Sequence, residues 1–198
     1  MDHATDTDLI RLSQQGDETA LAFLIERYAS SVYRFLARML NDRLIAEDLT
    51  QETFIKVWKS LSRFDPTKAF KPWLFSIARN TAIDHVRKKH PFSFSSLEDE
   101  EDRSFTESVA DVRLLPSSLL EQKDLGDQLT QALTHLSPIA RSIVLMHETE
   151  DLTFQEIADM LKEPLNTVKS RYRRALLALQ TKLTPEGDLL LPSKIAPK

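Results

Sequence analysis

The sequence predicts an all-α protein built as two small helical domains joined by an acidic, flexible linker. Three observations carry this. Only 3 Gly occur in 198 residues, too few for the tight turns of a sheet-rich fold or for a Gly-rich phosphate loop. Apolar residues recur at helical spacing through both halves of the chain. Between the halves, that periodicity stops and acidic residues accumulate.

The first domain is expected over 1–90. Asp8 or a neighbour caps a short helix that stops near Gly16, and Asp17 caps a long one carrying Leu21, Leu24, Ile25, Tyr28, Val32, Phe35, Leu36 and Met39. A break at Asn41-Asp42 opens a third helix, with Phe54, Val57, Trp58 and Leu61 spaced to face the core. After Phe64-Asp65-Pro66-Thr67, a fourth begins at about Pro72, a residue tolerated in a first turn. On it Phe75, Ala78, Ala82 and Val86 point inward, while Asn80, Asp84, Arg87 and Lys88 share another face flanked by Arg79.

Residues 91–116 are expected to be a linker. The second domain, 117–183, starts at a capping box, Ser118-Leu-Leu-Glu121. Ser137-Pro138 then opens a helix through Ile139, Ile143, Val144 and Met146, and a second capping box, Thr153-Phe-Gln-Glu156, opens a short helix with Ile157, Ala158 and Leu161. Past a turn of four to five residues, Asn166 caps a last helix. The tail, 184–198, contains Pro185, Pro192 and Pro197 and is expected to be extended or disordered.

Composition narrows the chemistry. The hydrophobic fraction of 41% and charged fraction of 28% are those of a soluble globular protein. The absence of Cys excludes disulfides, thiolate metal sites and Cys nucleophiles, and suits the cytoplasm. No stretch is apolar for long enough to be a membrane span or signal peptide. His85 and His90 lack further ligands nearby, no carboxylate pair has a catalytic context, and no phosphate loop is present, so neither metal, cofactor nor enzyme activity is expected.

A formal net charge of −4 argues against a nucleic-acid partner until its distribution is considered. Arg79 to His90 is net +3 and Lys162 to Lys182 net +5, whereas Glu98 to Asp111 is net −6. The last two helices have the layout of a helix-turn-helix. On the final one Val168, Tyr172, Ala175 and Leu179 would pack inward, with Thr167, Ser170, Arg171 and Arg174 on another face and Lys169 and Arg173 beside them. Hydroxyls and guanidiniums suit base edges and phosphates in a major groove. A solvated amphipathic helix is the alternative on these grounds alone. On the third helix Glu47, Asp48, Gln51 and Glu52, with Ile55 one turn on, form a polar, acidic strip; a solvated face is again the alternative.

Two stretches carry a family resemblance. ALTHLSPIARSIVLMHE followed by DLTFQEIADMLKEPLNTVKSRYRRALLAL resembles the −35-reading domain of the extracytoplasmic-function sigma factors of bacterial RNA polymerase. LIRLSQQGDETALAFLIERYASSVYRFLARML, followed by DRLIAEDLTQETFIKVWKSLSRFDPTKAFKPWLFSIARNTAIDHVRKK, resembles the same family's polymerase-binding and −10-reading domain. Together they cover Leu9 to Lys89 and Leu119 to Leu183, in family order. The departures are Lys162 and Asn166, which stand where the family usually has Gly; Asn tolerates a left-handed conformation, and Lys162 falls at the turn itself.

The resemblance implies an alternative sigma factor that binds core RNA polymerase, through its β′ clamp helices and β subunit, and directs it to promoters. It places Glu47, Asp48, Gln51, Glu52 and Ile55 on the polymerase. It places Phe64, Lys68, Phe70, Arg79, Asn80, Asp84, Arg87 and Lys88 on the −10 element, where Phe64 and Phe70 could stack on an extruded base while Trp58 and Trp73 belong to the core. Thr167, Lys169, Ser170, Arg171, Arg173 and Arg174 fall on the −35 element. It also implies an anti-sigma partner and a linker that threads the polymerase cleft. That linker would span roughly 25–30 Å as a coil and about 85 Å when extended. Promoter elements about 70 Å apart would demand near-full extension, so a compact free form and an extended bound form are expected. The competing functions are a free-standing helix-turn-helix regulator, and an adaptor that keeps the fold without promoter reading.

Overall fold

The computed structural model describes residues 4–89 and 130–183. The linker, the Ser118 capping box and the Pro-containing tail lie outside these residues. Every regular element among the described residues is helical. In the first half these are α1 (Asp6–Gln14), α2 (Glu18–Leu40), α3 (Arg43–Leu61) and α4 (Phe70–Lys89). In the second they are α5 (Pro138–Glu148), α6 (Phe154–Leu161) and α7 (Leu165–Leu183), preceded by a helical turn at 130–134. No described helix is long and apolar enough to cross a membrane.

The helix starts follow from local side-chain chemistry. Thr5 caps α1, and Asp8 closes the box from the third position instead of capping. Asp17 caps α2 and Asp42 caps α3, each accepting two backbone N–H groups that a helix leaves unpaired. Gly16 turns the chain between α1 and α2 at φ +97°, and Asn41 ends α2 at φ 53°. Helix α4 begins at Phe70, so Pro72 falls inside its first turn. Ser137 with Pro138 starts α5, and the Thr153–Glu156 box starts α6, both as the sequence predicts.

The connection from α6 to α7 differs from expectation. It is three residues long, Lys162 to Pro164, and Asn166 lies within the first turn of α7 rather than capping it. The Pro164 carbonyl takes the N–H groups of Thr167 and Val168, at 2.9 and 3.2 Å, so the helix starts earlier than an Asn166 cap would allow. Lys162 supplies the left-handed residue the turn needs, at φ 56° and ψ 39°.

In the first half, Leu24, Val32, Phe35, Leu36 and Met39 of α2 meet Leu49, Val57 and Leu61 of α3 and Leu74, Phe75 and Ala78 of α4. Phe35 and Phe75 pack edge to face at 5.4 Å. In the second half Ile143, Leu145, Ile157, Val168, Tyr172 and Leu179 form the interior. His147, stacked on Phe154 at 4.0 Å, and Tyr172 form an aromatic cluster there. The Tyr172 hydroxyl donates to Glu148, and burial next to that carboxylate pushes its pKa up. Helix α5 packs against α2 and α4 as well as against α6 and α7, so the halves share one continuous apolar core.

A Lys side chain in the left-handed region costs roughly 1 kcal/mol that Gly avoids. Lys162→Gly is therefore expected to raise the melting temperature by a few degrees, measured by circular dichroism. An unchanged or lowered midpoint would count against the strained turn.

Candidate polymerase and nucleic-acid interfaces

Helix α3 buries Ala46, Leu49, Thr53, Phe54, Val57 and Leu61, which leaves its opposite side in water. At 100° per residue, Leu44, Asp48, Gln51, Ile55 and Trp58 fall within a sector of about 80°. All five are exposed, and Glu47 and Glu52 flank them on either side. Three are large and apolar: Leu44 is 78% exposed, Ile55 49% and Trp58 63%. Trp58, expected in the core, instead forms a wall of a cleft of ≈ 230 Å³ shared with Gln14, Gly16, Asp17 and Leu61. The reason is angular, since Trp58 lies 100° round the helix from buried Val57. Glu52 is paired with Lys56 at 2.8 Å, and Lys56 also donates to Thr81 of α4 at 3.0 Å.

The turn from α3 to α4 is fixed from two sides. Gln14 of α1 donates through Nε2 to the carbonyls of Leu61 and Phe64, at 2.9 and 2.7 Å, satisfying groups a helix end leaves open. Asp65 accepts the backbone N–H and the hydroxyl of Thr67, at 3.0 and 2.7 Å, and these bonds hold its carboxyl below the usual carboxylate range. Phe64 and Phe70 are buried, at 7% and 3% exposure, which corrects their expected role as stacking platforms. They pack with Trp73, 4.6 Å from Phe64 and 5.6 Å from Phe70, because ring-on-ring burial is worth more here than an open face. Lys68, Asn80, Arg87 and Lys88 are exposed on this side. Asp84 is paired with Arg87 at 2.9 Å, and half-buried Arg79 donates through Nε to Ser142 of α5 at 3.1 Å.

On α7 the inward residues are Val168, Tyr172, Ala175, Leu176 and Leu179. Lys169, Ser170 and Arg173 are exposed, and Thr167 and Arg174 are half-buried. Arg171 turns back across the connecting turn, where its Nη1 donates to both carboxylate oxygens of Glu163 at 2.7 and 2.8 Å. Its side chain keeps 18% exposure. The outward face of α7 is thus led by Lys169, Ser170 and Arg173, with Arg171 bracing the turn behind them.

Two family models match in order, Sigma-70 region 2 over residues 24–91 and Sigma-70 region 4 over 126–179. A curated relative, the ECF RNA polymerase sigma factor SigW of Bacillus subtilis, is 31% identical over 88% of this chain and 94% of its own length. The chain belongs to the extracytoplasmic-function sigma factors. The RNA polymerase sigma-H factor of Pseudomonas aeruginosa is 30% identical over 91% of the chain and 94% of its own length. Among solved structures, the sigma factor RpoE in complex with the anti-sigma factor NepR, from Bartonella quintana, superimposes with a TM-score of 0.62 at 26% identity, covering 82% of this chain and 95% of that one. CnrH in complex with the cytosolic domain of CnrY shares the fold, with a TM-score of 0.64 at 20% identity, covering 89% and 95%.

This sigma factor is accordingly an alternative-sigma transcription initiation factor. Sequence spacing brought together the five residues of the α3 strip but missed Leu44 and Trp58. The missed signal is that both continue the sector of Asp48 and Ile55, at i−4 and i+10 from Asp48, and a search along that sector would have found them. The Glu163–Arg171 pair was also missed, because it crosses a turn.

If that pair braces the turn, Glu163→Gln and Arg171→Ala should each lower the unfolding free energy by about 1 kcal/mol, and the double variant by less than their sum. Urea denaturation of all four proteins measures this, and strict additivity would show that the side chains do not act together.

Proposed function

We propose that the exposed face of α3 is where this sigma factor docks on core polymerase, that α4 with the preceding turn meets the −10 element, and that α7 reads the −35 element. The observation that carries the first assignment is the placement of Leu44, Ile55 and Trp58 in water on one line. Burying each such side chain stabilises by roughly 1.5–3 kcal/mol, and a chain that forgoes this in isolation regains it against a partner. Acidic Glu47, Asp48 and Glu52 around the apolar line suit a basic partner helix, with charge steering the encounter and apolar contact supplying affinity. The β′ clamp helices, which the family uses here, are that partner, and the β subunit completes the complex.

The exposed cations on α4 and α7 support promoter contact, because phosphates need compensating charge and the chain as a whole carries a formal net charge of −4. Lys68, Asn80, Arg87 and Lys88 serve the −10 strand. Phe64 and Phe70 support the turn from below and do not stack on bases. On α7, Lys169, Ser170 and Arg173 meet the groove, Thr167 and Arg174 lie at its margin, and Arg171 holds the helix to its turn. Regulation by an anti-sigma protein, of the kind bound to the Bartonella sigma factor, is part of this reading. The proposed domain bounds are 1–90 and 117–183.

Run-off transcription with purified core polymerase separates this function from its rivals: the chain should support initiation without a housekeeping sigma factor. Asp48→Arg and Trp58→Ala should each weaken polymerase association at least tenfold with the circular dichroism spectrum unchanged. Wild-type association by both variants would show that polymerase docks elsewhere.

A further inference from the structure

The outward face of α7 is centred on three residues, of which Asn166 is the one the protein itself does not use. At 100° per residue, Asn166, Ser170 and Arg173 fall within a sector of about 60°, opposite buried Val168, Tyr172, Ala175 and Leu179. All three are exposed. Half-buried Thr167 and Arg174 lie on one flank of that sector and exposed Lys169 on the other.

The sequence reads Asn166 as the cap of α7, yet the Pro164 carbonyl takes the N–H groups of Thr167 and Val168 that such a cap would accept. Among the described residues, no group pairs with its side-chain amide. Asn favours a helix less than Ala, Lys or Gln do, so local stability does not account for it. Its place is that of a reader, because in a helix-turn-helix the N-terminal residues of the second helix reach base edges in the major groove, and Asn166 is the second residue of α7. The support beneath it is stiff. The Glu163 N–H donates to the Ala158 carbonyl at 3.1 Å, Pro164 follows, and Arg171 reaches back to the Glu163 carboxylate at 2.7 and 2.8 Å. A frame already ordered in the free protein loses little freedom on binding.

We propose that Asn166 is a base-reading residue of this sigma factor, whose side-chain amide specifies one adenine of the −35 element. This rests on the reading of α7 as the −35 helix. The amide carries an oxygen that accepts and an NH2 that donates, and adenine presents in the major groove an N6 amino group that donates beside an N7 that accepts. Both bonds form at once, and no other base offers a donor and an acceptor together on that edge. Arg173, with donors alone, asks instead for the two acceptors of guanine. Seven residues of helical rise, about 10.5 Å, separate the two side chains, which sets their bases within about three base-pair steps of each other.

The test binds holoenzyme, made from the full chain and core polymerase, to a pool of random-sequence duplexes and sequences the DNA recovered. The wild-type −35 motif should contain an adenine preference that Asn166→Ala lowers roughly fivefold or more, with the other positions of the motif and the melting midpoint unchanged. Asn166→Asp keeps the size of the side chain but can only accept, so the preference at that same position should turn from adenine to cytosine, whose N4 amino group donates. A purely structural role would weaken binding to every sequence alike and change no base. Arg173→Ala, run alongside, should relax a guanine within about three steps of that adenine. If Arg173→Ala alters the motif while both Asn166 variants leave it as it was, or weaken it uniformly, Asn166 does not read a base. If none of the three variants alters the −35 motif, the assignment of α7 to that element falls as well.

Discussion

Helix α5 has five consecutive residues that water does not reach, and the two helices beside it in the second domain cannot cover a helix on every side. That constraint ties the two halves of the described chain together. The apolar surface α5 presents toward α2 and α4 must be covered, and the polar groups brought in with it must be paired. Arg141 meets the carbonyl end of α2, Ser142 meets Arg79, and Glu150 meets Lys71. Each pairing follows from the cost of leaving a buried donor or charge unsatisfied.

Helix α3 shows the opposite choice. It keeps Leu44, Ile55 and Trp58 in water while the rest of its apolar side chains are packed away. Helix α5 is packed from both halves of the described chain, whereas α3 keeps a row of large apolar side chains in water. The bare face of α3 is the one proposed to meet core polymerase, a use consistent with membership of the sigma-factor family. Helix α7 fits the same economy. Its Arg171 is spent on Glu163, within the turn, so that Lys169, Ser170 and Arg173 are held at a defined angle in front of it.

Much of this was legible in the chain before any coordinates. The caps at Asp17, Ser137 and Thr153, the helix start at Asn41-Asp42 and the acidic strip of α3 follow from short-range rules. What escaped was set by longer-range geometry. Trp58 reads as core because it sits beside Val57 in an apolar run, and only the direction of the α2 and α4 packing decides that it faces out. Phe64 and Phe70, which the family resemblance offered as stacking rings, instead find Trp73 across the turn. Asn166 reads as a cap, but Lys162 takes the left-handed conformation and Pro164 the acceptor role, so the cap is unnecessary. The contacts of Arg79, Arg141 and Glu150 join residues 63 or more apart in sequence or lie across a domain boundary, where no local pattern reaches.

The most direct test is hydroxyl-radical footprinting of the whole chain, free and bound to core polymerase, read by mass spectrometry. On binding, oxidation of Leu44, Ile55 and Trp58 is expected to fall. Unchanged oxidation of all three in the complex would contradict the docking face.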